Sequence, residues 1–190
     1  SSGGHLVVGN YSLTDENTVL TSPNFSNTLV LQGTMEVTPQ ELTASLSSAT
    51  TKTYDGNTSM PALSINLATP EIGDDVTASA SGAYVSKEAG TTDYTVSGLM
   101  LNGVDADNYF VQGGANAQIT GNDGQITKRV LTVTPTAGQQ KVFGAADPVL
   151  RYNNSGVADG ERPGFSGVIA RSSGEAIGTY PITQGSLALA

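Results

Sequence analysis

The chain has a single histidine, His5, and no cysteine, which removes most reaction chemistry at once. A Ser-His-Asp triad would have to be built on His5, and thiolate or mixed thiolate–imidazole metal sites lack their ligands. No segment has the spacing of a phosphate-binding glycine loop. The remaining hard ligands are carboxylates. Asp74-Asp75 and Asp105-Ala106-Asp107 are oxygen clusters of the kind Ca²⁺ takes, but neither has the alternating spacing and closing Glu of a calcium loop. The simpler reading is turns in which Asp and Asn bond to their own backbone, with Ca²⁺ at Asp74, Asp75, Asp105 and Asp107 as the alternative. No catalytic or cofactor-binding residue is assigned, and an enzyme is not expected.

Two further residue types recur in step. Lys52 and Tyr54 precede Asp55-Gly56, and Lys141 and Phe143 precede Gly144. The rings could stack on sugars, but in a chain with few large apolar residues a core role is the simpler expectation. The lysines read as guards on edge strands; a Lys–Asn isopeptide crosslink is the chemical alternative. Asp55-Gly56 and Asn122-Asp123-Gly124 have the composition of hairpin turns.

The elements that must position these residues are strands. Only 13% of residues are charged and 6% aromatic, with 23 glycines. Ser, Thr and Val suit strands, and Gly and Asn suit turns. No window sustains a helical apolar period, although a helical turn fits near Ala158-Asp159-Gly160-Glu161. The formal net charge of −9 argues against nucleic acid, which needs Lys and Arg to displace counterions, and against an anionic membrane surface. No apolar run is long enough to insert in a bilayer. The sparse large aliphatics predict two or three small, thin cores rather than one large one.

An internal repeat organises the chain. Val37-Thr38-Pro39-Gln40-Glu41-Leu42-Thr43 matches Ile126-Thr127-Lys128-Arg129-Val130-Leu131-Thr132. At the same offset of 89 residues (131 − 42), Lys52 meets Lys141 and Tyr54 meets Phe143. Residues 82–101 resemble residues 167–189, and Asn10-Tyr11-Ser12-Leu13 resembles Asn108-Tyr109-Phe110-Val111. Residues 1–39 therefore read as the closing part of a preceding module, 40–127 as a complete module, and 128–190 as a module without its closing strands. The expected class is all-β: tandem small modules, sandwich or β-grasp-like, with at most one short helical turn each.

The phrases KTYDGNT, GDDVTAS, GAYVSKEAGT, YTVSGLMLNG and DADNY resemble the YDG repeat. KRVLTVTPTAGQQKVFGAADPVLRY followed by GEAIGTYPITQGSLAL resembles the MBG-type repeat. Both occur in tandem in large bacterial surface proteins similar to filamentous-haemagglutinin-like adhesins. The resemblance implies a secreted, cell-surface stalk or spacer that projects a distal binding region, with neighbouring modules of the same chain as partners. It also implies an alternative, a module that binds carbohydrate or a host protein. The out-of-phase repeat adds one further expectation, head-to-tail self-association in which one molecule's N-terminal segment completes the open module of the next.

Overall fold

The computed structural model describes residues 1–12, 24, 33–48 and 50–190. The expectation for a strand ending at Leu13 falls partly outside them. The fold is all-β. Sixteen strands are formed among the described residues, together with two single 3-10 turns, Ala106–Asn108 and Gly114–Asn116. Both turns lie in the first module, one more than expected there, and the stretch near Ala158 is a plain turn closed by Glu161 N–H donating to the Ala158 carbonyl at 3.1 Å. No helix among the described residues is long and apolar enough to cross a membrane.

The chain forms two compact units. The first comprises residues 1–50, 59–85 and 92–124, and the second residues 51–58, 86–91 and 125–190. In the first unit, β1 (Gly9–Ser12) pairs antiparallel with β2 (Thr34–Val37). A mixed sheet is centred on β3 (Gln40–Leu46), which pairs antiparallel with β5 (Ile65–Ala68) and parallel with β8 (Tyr109–Val111). An antiparallel sheet is centred on β7 (Tyr94–Asn102), between β6 (Thr77–Tyr84) and β9 (Ile119–Gly121). Between Met100 and Ser97, β7 takes three steps where β6 takes two. The extra residue is accommodated at Gly98, whose φ of 66° is the left-handed conformation such a bulge needs.

Alternation along these strands builds the first core. Leu42, Val96, Tyr84, Tyr94, Tyr109 and Val111 are buried. Each buried tyrosine keeps its hydroxyl satisfied: Tyr84 donates to the Thr50 carbonyl at 2.6 Å, Tyr94 to Asp123 at 2.9 Å and Tyr109 to Asp74 at 2.8 Å. A chain short of aliphatic bulk thus fills its core with rings whose polar tips reach the rim.

In the second unit, β4 (Thr51–Thr53) pairs parallel with β10 (Gln125–Thr127), and β11 (Thr132–Pro135) pairs antiparallel with β12 (Tyr152–Ser155). Two short antiparallel pairs follow, β13 (Phe165–Ser166) with β16 (Ala188–Leu189) and β14 (Ala170–Arg171) with β15 (Ile182–Thr183). Its buried apolar residues are Ile126, Ala158, Ile169 and Leu187, with Tyr152 and Phe165 edge-to-face at 5.8 Å.

Neither expected hairpin forms. After Asp55-Gly56 the chain does not return along β4; β4 pairs with β10, and Ser59 bridges to Ala83. Gly56 has φ 83° while Asp55 does not have positive φ, so the corner is not a type I′ turn, which needs both. Likewise Asn122-Asp123-Gly124 links β9, paired with β7, to β10, paired with β4. Asp-Gly here changes the sheet rather than the direction within one.

Candidate functional site

The repeated lysine, aromatic and acid positions are where the polar chemistry of the second unit gathers. Lys141 Nζ lies 2.8 Å from Asp147 Oδ1 and 2.7 Å from Glu175 Oε2. Arg171 joins the same two acids, Nε to Asp147 Oδ2 at 2.9 Å and an Nη to Glu175 Oε1 at 2.6 Å. Its guanidinium also sits 5.1 Å from the centre of the Tyr180 ring. These four charges form a closed, neutral ring in which each cation spans both acids. Lys141, then Arg171, holds the Asp147 and Glu175 carboxyls below the usual carboxylate range, and the two acids in turn raise Lys141 and Arg171.

The ring lines an open cavity of 820 Å³ with Gln139, Gln140, Phe143, Ile177 and Tyr180 among its walls. Phe143 is 70% exposed, which corrects the expectation of a core ring. Phe143 follows Val142 and leads into Gly144, which has φ 79°. No regular strand includes it.

At the matching place earlier in the chain, Lys52 is held more tightly. Its side chain is only 8% exposed, and Nζ lies 2.8 Å from Asp55 Oδ1. It also donates to the Asn57 carbonyl at 2.7 Å and to Asn57 Oδ1 at 3.0 Å. Lys52 is therefore an internal tie across the Asp55-Gly56 corner, not a surface guard on an edge strand. Asp55 also accepts from the Asn57 backbone N–H at 3.2 Å. Tyr54 is half-buried and donates to Glu161, which also receives Lys87 at 2.6 Å. The hydrogen bond to Glu161 raises the Tyr54 hydroxyl, and Lys87 holds Glu161 low. Lys52, Asp55 and Asn57 bring an amine, a carboxyl and a carboxamide together, the three groups of an isopeptide-forming site. Pairing with Lys52 holds the Asp55 carboxyl below the usual carboxylate range.

Two of the four aspartates considered as calcium ligands, Asp74 and Asp105, are committed to protein donors. Asp105 is 3% exposed and accepts from the Ser2 backbone N–H at 2.9 Å, the Ser2 hydroxyl and the Asp75 N–H at 2.9 Å. These bonds, the Ser2 hydroxyl first, keep its carboxyl below the usual value. Asp74 accepts from Gly3 N–H at 2.9 Å and from Tyr109. Burial pushes the Asp74 carboxyl up, but its hydrogen bonds outweigh this and leave it low. Asp107 is exposed and does not join them. Among the described residues no three His, Cys, Asp or Glu side chains converge as a metal site requires. The acidic pair instead pins the loop before β6 to the loop before β8.

Sequence reasoning singled out Lys141 and Phe143 but missed Asp147, Arg171, Glu175 and Tyr180. The first lies six residues beyond Lys141, and the others come from the distant 171–180 stretch. Their signal is weak: Arg171 and Glu175 are two of the few charges in a chain with only 8 Lys and Arg.

Comparison with known families assigns both halves. Residues 38–120 match the family model of the YDG domain, and residues 131–190 that of the MBG domain (YGX type). Tyr54-Asp55-Gly56 supplies the tripeptide of the first name, and Phe143-Gly144-Ala145 has the aromatic-Gly-X form of the second. No curated protein and no solved structure matches the chain.

Proposed function

The chain carries a YDG domain followed by an MBG domain of the YGX type, and from that premise we propose that it is a structural stretch of a secreted bacterial cell-surface adhesin, a run of β modules that spaces a binding region away from the cell. Two such domains in tandem are consistent with adhesin-type repeat modules, and neither is known as an enzyme family. The tandem succession is the observation that carries the reading. Its mechanism is mechanical: each module is a link, and stiffness arises from ties such as Lys52–Asp55–Asn57 that lock corners without adding bulk. The test is to raise antibodies against this segment and label intact cells of the source organism. Surface labelling that is lost when export is blocked supports the proposal, and signal confined to lysed cells contradicts it.

A second reading rests on the cavity beside Phe143. An exposed ring next to Tyr180, amide side chains and a neutral charged ring is the composition of a sugar-binding surface, apolar face with convergent polar groups. Binding on a glycan array that disappears with Phe143→Ala would make the MBG domain a carbohydrate-binding module. Absence of binding by the wild-type chain would leave it as a spacer.

A further inference from the structure

The Asp55-Gly56 corner assembles three groups that can react with one another. Lys52 lies in β4 opposite Ile126 of β10, and strand partners project to the same face of a sheet. Ile126 is buried, so the Lys52 stem runs along apolar surface and its amine is held at the corner. There the amine donates to Asp55 Oδ1 at 2.8 Å, to the Asn57 carbonyl at 2.7 Å and to the Asn57 side-chain oxygen at 3.0 Å. Gly56, with its left-handed φ, turns the chain so that Asn57 comes back over Lys52. The Asn57 backbone N–H donates to Asp55 Oδ1 at 3.2 Å, which fixes the carboxylate between the amine and the carboxamide.

A nucleophile, a base and an electrophile are therefore in mutual contact. A lysine amine is activated by an adjacent general base, and reaction is fast where the partners are held oriented at contact distance. We propose that Lys52 and Asn57 join in an intramolecular isopeptide bond, with Asp55 as its catalytic base and acid. The Asp55 carboxylate takes a proton from the Lys52 ammonium, and the neutral amine attacks Cγ of Asn57, pushing the carbonyl electron pair onto Oδ1. Asp55 then gives its proton to Nδ2 and takes one from the attacking nitrogen. The Cγ–Nδ2 bond breaks as the C=O bond re-forms. Ammonia departs, collects the last proton from Asp55 and leaves as ammonium, so Asp55 ends ionised as it began. No oxidant or co-reactant is consumed. Asn57 is exposed, which gives the ammonia a path to solvent.

The internal repeat supplies a comparison within the same chain. At the offset of 89 residues (141 − 52), Lys141 stands for Lys52, but Gly144 and Ala146 stand for Asp55 and Asn57. Lys141 meets two acids instead, Asp147 and Glu175, and neither carries an amide nitrogen to expel. The bond therefore belongs to the Asp55-Gly56 corner alone. It closes residues 52–57 into a covalent ring, so that the corner cannot be pulled straight.

The test is the intact mass of the whole chain, followed by tryptic mapping of the denatured protein. The wild type weighs one ammonia less than its sequence. Trypsin, which needs a free lysine side chain, does not cut between Lys52 and Thr53, and fragment ions link Lys52 to Asn57. Lys52→Arg, Asn57→Ala and Asp55→Ala each have the full sequence mass. A cyclic imide at Asn102-Gly103 would also release ammonia, but mild base reopens an imide and leaves an isopeptide bond intact. A wild type at full mass, cut by trypsin after Lys52, overturns the proposal and leaves the corner with an ion pair only. A loss that reverses in mild base, or that persists in Lys52→Arg, overturns it too. Retention of the bond in Asp55→Ala overturns the role given to Asp55. The wild-type mass and the linked fragment need no variant, so a variant that fails to fold does not blunt the test.

Discussion

The two domains use one grammar and reach different degrees of closure. In the YDG domain, β6 and β7 form a long antiparallel pair from Thr77↔Asn102 to Tyr84↔Tyr94, interrupted by a single bulge, and β9 adds a third strand. In the MBG domain the corresponding stretch is broken into Phe165↔Leu189 with Ser166↔Ala188, and Ala170↔Thr183 with Arg171↔Ile182. Gly167 and Gly185, at φ 74° and 59°, sit in the gap. The YDG core holds three buried tyrosines with Leu42, Val96 and Val111; that of the second unit holds Ile126, Ala158, Ile169 and Leu187. The difference teaches that the shared pattern fixes which strands pair, while the size of the residues and the continuity of the strands fix how much is buried. The MBG domain offsets its thin core with charges: its Lys141–Asp147–Arg171–Glu175 ring has no counterpart of that size in the YDG domain among the described residues.

The largest effect that would break this comparison is at the matched leucines. Leu42→Ala empties a fully buried site and should destabilise its domain by about 2–5 kcal/mol. Leu131→Ala removes a half-exposed side chain and should cost about 1 kcal/mol, in line with partial burial of the same atoms. Denaturant melts of both variants check this; equal losses would mean the two positions are equally closed.

Glycines give the next effect. A Cβ on Gly103 would lie 2.2 Å from the Asp75 carbonyl oxygen at a φ of 111°, so Gly103→Ala must displace the loop that Asp105 pins. At Gly56 the nearest atom would be 3.8 Å away and only the φ of 83° opposes a side chain. Gly56→Ala should therefore cost about 1 kcal/mol, and Gly103→Ala clearly more. Thermal melts of the pair would reverse the order if close approach were not what requires Gly103.

The smallest effect separates the two kinds of carboxylate. Asp105 and Asp147 are both held below the ordinary value of 3.8. A carboxyl whose folded value is depressed contributes stability above its unfolded value and loses it as pH falls through the folded one. Both domains should therefore weaken below about pH 4, the ordinary carboxylate range. Asp105→Asn should flatten that acid slope in the YDG domain more than Asp147→Asn does in the MBG domain. Asp105 is buried among backbone donors, whereas the acids of the ring are partly exposed and screened by solvent. Melting temperature against pH reads this, and acid slopes left unchanged by Asp105→Asn would remove the pinning role from that residue.

Much of this was legible in the residues. Alternation and turn composition carry the all-β class, and the offset between Leu42 and Leu131 matches β3 with β11. What failed was non-local. Asp55-Gly56 and Asp123-Gly124 have hairpin composition, but composition cannot say whether the strand after a turn pairs with the strand before it or leaves for another sheet. Phe143 was expected in the core because rings are scarce, yet without a strand to carry it the ring stays outside. The Arg171–Glu175 half of the charged ring comes from thirty residues beyond Lys141, and only the folded chain brings it there.

Amide hydrogen exchange across the matched strands tests the central claim most directly. Residues 40–42 pair with β8 and residues 43–46 with β5, so the amides that bond across these ladders should be protected. Residues 132–135 should be protected by β12, and residues 129–131 should exchange freely in dilute solution. Uniform protection from 129 to 135 would contradict the claim that residues 129–131, unlike their counterparts 40–42, have no strand partner among the described residues.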